Sequence, residues 1–150
     1  MIKSILMPTD GSETARKAAK YAYELAVLSQ ASVTLVHVID TSVFVGRLSV
    51  PAPETPTHIV EPLEDYLRQA AELDMEEIAR LGAQCGVETR KVIRYGHPVE
   101  EIIGEAERSN IDLIVMGSHG KSVLRAALLG SVTFGVIHKD TKIPVLIVRR

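Results

Sequence analysis

Five short apolar runs, Ile2–Met7, Ser32–Ile39, Val87–Arg94, Asp112–Met116 and Pro144–Val148, alternate along this chain with longer stretches of helical periodicity. That alternation is the signature of a parallel α/β sheet covered by helices on both faces. Most of the runs are continuously apolar instead of apolar at every second position, as expected of strands buried on both sides. The first is followed by Asp10-Gly11-Ser12, a turn and helix-start signal, and then by Ala15, Ala18, Ala19, Ala22, Leu25 and Ala26 near a 3.6-residue period. So small a face lets a helix lie close on a sheet. From Pro62 onward Leu63, Leu67, Ala70, Leu73, Ile78, Leu81 and Cys85 keep the helical period, and Gly86 is placed to cap the helix. Val99, Ile102, Ile103 and Ala106 predict a third helix behind Pro98, and a short fourth runs from Ser131 to about Lys139.

Residues 41–60 fit no period and carry Pro51, Pro53, Pro56 and Gly46, so they read as a long flexible surface loop within a single domain spanning 1–150. With 46% apolar but only 4% aromatic residues and no Trp, the core must be filled by Val, Ile, Leu and Ala. A net charge of −2 argues against a dedicated nucleic-acid binder. The one cysteine, Cys85, reads as a small core residue, and His37, His58, His97, His119 and His138 show no ligand spacing, so no metal site is expected. The apolar stretch near the start is too short for a signal peptide, and nothing approaches the roughly 20 residues of a membrane helix, so the expected location is cytoplasmic, with no membrane span.

The most informative segment runs from Val115 to Val132. It leaves a buried strand, passes Gly117 and Gly120, and reaches Gly130-Ser131 at the start of a helix. Glycines there allow close backbone approach, and a helix N-terminus adds unpaired N–H groups and a positive dipole end, which is chemistry for holding phosphate. Ser118 and Ser131 could add hydroxyl hydrogen bonds. Lys121 and Arg125 add charge but read more simply as solvated, and His119 as an exposed loop histidine. Glu100, Glu101, Glu105 and Glu107 read as a solvated helix face, and His37 as a satisfied structural residue. A Walker A loop fails on spacing, because position 115 is Val and Gly117 is only three residues before Gly120. Neither a dinucleotide fingerprint nor a nucleophile elbow occurs.

What the segment does match is G-x2-G-x9-G-[ST], at Gly117, Gly120 and Gly130-Ser131. Together with Met7-Pro8-Thr9-Asp10-Gly11-Ser12, Val36-His37-Val38 and the closing Pro144–Arg149, it makes the chain resemble the ATP-binding subgroup of the universal stress protein family. The resemblance implies an open five-stranded parallel sheet of order 3-2-1-4-5, Rossmann-like and shared with adenine nucleotide α-hydrolase-like proteins. It also implies an ATP pocket with Pro8, Thr9 and Asp10 around the adenosine and the backbone of Val38 on the adenine. Met116, Gly117, Ser118, His119, Gly120, Gly130, Ser131 and Val132 would lie on the phosphate side. Asp10 would accept a ribose hydroxyl, although in Asp-Gly-Ser it also reads as a turn residue capping the first helix. Many relatives show a further Gly near positions 122–123, where this chain has Ser122-Val123.

The expected ligand is ATP with magnesium, and the expected role a nucleotide-dependent regulatory or stress-response module acting on a downstream protein partner. No base and activated nucleophile are apparent, so no catalytic residue is assigned, and at most slow ATP hydrolysis or autophosphorylation is expected. The rivals are an adenylyl-transfer enzyme of the wider superfamily, whose Ser-Gly-Gly loop is replaced here by Thr9-Asp10-Gly11-Ser12, and a nucleotide-free protein acting by contacts. An uncharged last strand, Ile143–Val148, at the sheet edge predicts a homodimer through Pro144–Arg149.

Overall fold

The computed structural model describes residues 1–42, 57–121 and 129–149. The elements in order are β1 (Ser4–Pro8), α1 (Glu13–Ser29), β2 (Ser32–Asp40), α2 (Thr57–Gln84), β3 (Thr89–Gly96), α3 (Pro98–Arg108), β4 (Leu113–Gly117), α4 (Ser131–His138) and β5 (Val145–Val148). The five strands pair in parallel in the order β3-β2-β1-β4-β5. Alternate side chains of the central strands enter two cores. Ile5, Met7, Val33, Leu35 and Val115 meet the alanine face of α1 and Met75 and Ile78 of α2. Leu6, Val36, Ile114 and Met116 meet Val99, Ile102, Ile103 and Ala106 of α3 and Val136 of α4. Ala18, Ala19 and Ala22 are fully buried, so the small-residue face of α1 does seat the helix on the sheet.

Turn chemistry sets the element ends. Gly11 has φ +74°, and Ser12 caps α1 by accepting from the Ala15 N–H at 3.2 Å. Gly86 has φ +71° and follows α2, where the Val87 N–H donates to the Gly82 carbonyl at 2.9 Å, the long bond of a Schellman ending. The start of α2 differs from expectation. The helix expected from Pro62 begins at Thr57, so residues 57–60 are helical and not loop, while 43–56 lie outside the described residues. Pro62 is the sixth residue of this helix and forfeits the one hydrogen bond that an N–H there would make to the carbonyl of residue 58. Among the described residues no helix is long and apolar enough to cross a membrane.

Two side chains sit opposite to their expected places. Cys85 follows the last residue of α2 and is exposed, so it is not the small core residue expected. Glu105, expected on a solvated face, is 1% exposed. Arg94 Nη2 and Nε donate to its Oε2 at 2.6 and 3.0 Å, while Arg90 Nη2 and Ser109 Oγ donate to Oε1 at 2.8 Å each. Burial alone would raise its pKa, but the hydrogen bonds from Arg94, Ser109 and Arg108 prevail and hold the carboxyl below its ordinary value. A depressed folded-state pKa contributes stability above the unfolded value that disappears as pH falls through the folded one. Glu105→Gln should therefore cost about 2 kcal/mol at neutral pH and flatten the acid-side fall in stability, as read by urea denaturation at neutral and acid pH.

Candidate nucleotide-binding crevice

The connections of β1 and β4 leave the sheet in opposite directions, which opens a crevice at the carboxyl ends of these neighbouring strands. A cavity of about 510 Å³ lies there. On one wall β1 ends at Pro8, opposite Val36, and its last tie to β2 is the Thr9 N–H donating to the Val36 carbonyl at 2.9 Å. Parallel pairing turns alternate residues to alternate neighbours, so Val38, two residues on, directs its own N–H and C=O toward the side that β1 has left. Its side chain joins the cavity wall with that of Val36. His37 between them faces the other layer. It is partly buried, and among the described residues its Nδ1 has no hydrogen-bond partner, so it is not the satisfied histidine expected. Burial pushes its pKa down, against the pull of Asp74 and Asp10.

On the opposite wall, Ser118–Lys121 follows β4 and is fastened from several sides. The Ser118 N–H donates to the Val148 carbonyl, and its carbonyl accepts from the Gly130 N–H, both at 2.8 Å. Thr133 Oγ1 donates to the Gly117 carbonyl at 2.9 Å, and Thr14 Oγ1 donates to the His119 carbonyl. Asp10 closes the set by accepting from the Ser12 N–H on Oδ1 at 2.9 Å and from the Lys121 N–H on Oδ2 at 2.8 Å. α4 then opens at Gly130 without a side-chain cap, and the first bond of the helix is the Phe134 N–H to the Gly130 carbonyl at 2.9 Å. The N–H groups of Ser131, Val132 and Thr133 thus head the helix with no partner inside it, and all three residues line the cavity.

Of the residues expected in a pocket, Pro8, Thr9, Asp10, Val38, Met116, Gly117, His119, Gly120, Gly130, Ser131 and Val132 line this cavity, and Ser118 does not. Ser118 is 1% exposed, with Oγ 2.7 Å from His119 Nδ1, so its hydroxyl steadies the histidine ring from behind and is not open to a ligand. Lys121 is also off the wall, its Nζ lying 3.8 Å from Asp74 on α2, and Arg125 lies outside the described residues. Sequence reasoning missed Pro98 and Ile102 of α3 and Phe134 of α4, which close the apolar end. Their signal is the helical spacing of Pro98 with Ile102, which sets both on the turn entering the crevice.

The motif glycines do something other than adopt left-handed turns. Among the described glycines, positive φ occurs at Gly11, Gly86 and Gly96 and at none of the three in the motif. A β-carbon on Gly117 would stand 2.9 Å from the carbonyl carbon of Thr14, and one on Gly120 would stand 2.5 Å from Asp10 Oδ2. On Gly130 it would meet the Cα of His119 at 3.3 Å. They are small so that chain segments can cross closely.

The sequence model of the universal stress protein family matches residues 1–149. The chain belongs to the universal stress protein family. It is 40% identical to universal stress protein MJ0577 of Methanocaldococcus jannaschii, covering 100% of this chain and 96% of that one. The solved structure of MJ0577 superposes with a TM-score of 0.86 at 39% identity, covering 100% and 97% of the two chains. Universal stress protein UspA from Lactobacillus plantarum gives a TM-score of 0.85 at 27% identity, covering 99% and 98%. A family protein from Arabidopsis thaliana with AMP bound shares the fold, with a TM-score of 0.68 at 19% identity and coverage of 99% and 92%.

The glycine distances order the effects of substitution in this universal stress protein. Gly117→Ala must push α1 off β4 and should cost about 1–3 kcal/mol of stability. Gly130→Ala, with its nearest atom at 3.3 Å, should cost less than Gly117→Ala by thermal denaturation, the reverse order showing that the loop and not α1 yields.

Proposed function

We propose that this universal stress protein binds ATP, carried with magnesium on its phosphates, and acts as a nucleotide-dependent stress-response module. The single observation that carries the reading is the convergence on one cavity of two complementary backbone features. Val38 offers a donor and an acceptor in a part of the cavity also lined by Val36 and Ile102, which suits the edge of an adenine ring. Across the crevice, the uncapped start of α4 offers N–H groups to an anion. Magnesium keeps most of its waters and is usually held through the phosphates of such a ligand, so the lack of a three-carboxylate cluster among the described residues is no obstacle. The relative from Arabidopsis with AMP bound supports an adenine nucleotide in this fold.

The non-enzymatic reading is favoured by Ser118, the hydroxyl paired with His119, being sealed from the cavity. Calorimetry should show ATP binding, and mass spectrometry of natively purified protein a co-purifying adenine nucleotide. Ser131→Glu is the sharper test, because a carboxylate in the first turn favours the helix itself while repelling an anion at its end. It should weaken ATP binding at least about tenfold, roughly the effect of 1.4 kcal/mol, and leave adenosine unchanged. Equal loss for both ligands would place the phosphates elsewhere.

The proposed assembly is a homodimer through Pro144–Arg149. Ser118 N and Ile114 N donate to the carbonyls of Val148 and Pro144, so Pro144, Leu146 and Val148 face β4, and the N–H groups of Val145 and Ile147 face outward. Ile147→Pro therefore removes an outward donor and should shift a dimer toward monomer by light scattering. Unmodified protein that stays monomeric at high micromolar concentration, with and without ATP, would reject this assembly.

A further inference from the structure

Asp10 has both carboxylate oxygens engaged by main-chain donors. The Ser12 N–H donates to Oδ1 within the β1–α1 turn, at 2.9 Å. The Lys121 N–H donates to Oδ2 across 111 residues of sequence, at 2.8 Å. Room for the second bond is made by Gly120, where a β-carbon would stand 2.5 Å from the same oxygen. The other tie from Lys121 is its Nζ, 3.8 Å from Asp74 with 63% of the lysine side chain exposed, and ion pairs of that kind are weak.

We propose that Asp10 is a positioning residue that fastens the Gly117–Lys121 segment to the β1–α1 turn, and so sets the spacing between the two sides of the crevice. Its consequence for ligands rests on the adenine-nucleotide reading above; its consequence for the free protein does not. An ionised carboxylate has about four acceptor sites, so two occupied ones still leave room for a ribose hydroxyl. The two roles nevertheless respond differently to change. Asn at position 10 keeps one acceptor, and the local turn to Ser12 is one that Asn forms as readily as Asp. Its amide NH₂ then faces the Lys121 N–H, donor against donor. Asp10→Asn therefore keeps the turn and releases the loop.

The first measurement is amide hydrogen exchange by NMR on ligand-free wild type and D10N. The Lys121 amide should exchange about tenfold faster in D10N, the factor given by one hydrogen bond of ordinary strength, with Ser12 unchanged. An unchanged Lys121 rate overturns the proposal. Should D10N not fold, Asp10→Ser serves in its place, since the hydroxyl can hold the Ser12 N–H but is too short to reach Lys121.

The second measurement is calorimetry with ATP, adenosine and 2′,3′-dideoxyadenosine triphosphate. A positioning role predicts that D10N weakens ATP more than adenosine, and weakens the dideoxy nucleotide by the same factor as ATP. Equal loss for ATP and adenosine, with none for the dideoxy nucleotide, makes Asp10 a ribose acceptor and overturns it. Wild-type protein that binds no ATP removes the adenine-nucleotide reading, while the exchange result still decides the role of Asp10 in the free protein.

Discussion

Gly117 ends β4 so close to the first turn of α1 that a β-carbon on it would come within 2.9 Å of the Thr14 carbonyl carbon. This approach fixes where β4 stops and how the chain leaves it. Once Gly117 is seated, its carbonyl takes the Thr133 hydroxyl, the next N–H pairs with Val148, and the next carbonyl takes the Gly130 N–H. α4 and β5 are thereby aligned from a single strand end. The crevice is what remains between that strand end and Asp10, and its shape follows from packing between protein segments.

The fastenings around the crevice are mostly bonds to main chain, and this has a mechanical consequence. A bond to a backbone carbonyl or N–H fixes the path of the chain, whereas two long side chains meeting in solvent fix little and are screened by salt. Glu105 does a comparable job at the opposite edge, binding β3 to α3 through a carboxylate that three arginines and a serine surround. There the strand is an edge with little apolar cover, and Arg90 and Arg94 combine a solvated edge with a buried anchor.

Much of this was legible in the sequence because it follows from local pattern. β4 is apolar and buried throughout and β1 from Ile5 onward, and the short residues of α1 announce the close helix. The start of α2 was not legible, since Pro56 and Pro62 signal a break and helix propensity gives no instruction to continue through it. Glu105 and His37 were misread for a different reason. Within its own helix Glu105 belongs to an acidic face, and nothing nearby in sequence says that arginines 11 and 15 residues earlier lie above it. His37 shares the face of Val33 and Leu35 by strand alternation, and whether anything in that layer pairs with its Nδ1 depends on the assembled packing and not on local pattern. In the crevice, the spacing of the three glycines was readable but their purpose was not. A turn needing positive φ is a local property, whereas closeness to Thr14, Asp10 and His119 exists only once the sheet is assembled.

The electrostatic character of the crevice follows from the same construction. Among the described residues its walls carry no lysine or arginine, since Lys121 is turned toward Asp74. Asp10 is the one carboxylate there among the described residues. An anion entering the crevice would meet that carboxylate at a cost that grows as water is excluded, about 4 kcal/mol for bare charges 4 Å apart near a protein surface. The Ser12 and Lys121 N–H groups direct their dipoles at the carboxylate and offset part of this cost in advance. What attracts the anion is then the head of α4, a dipolar source that falls off within a turn. An anion held by oriented N–H groups is selected by where its oxygens lie more than by its total charge, so under the adenine-nucleotide proposal the distance between Asp10 and Gly130 would be the dimension that decides which phosphate is held.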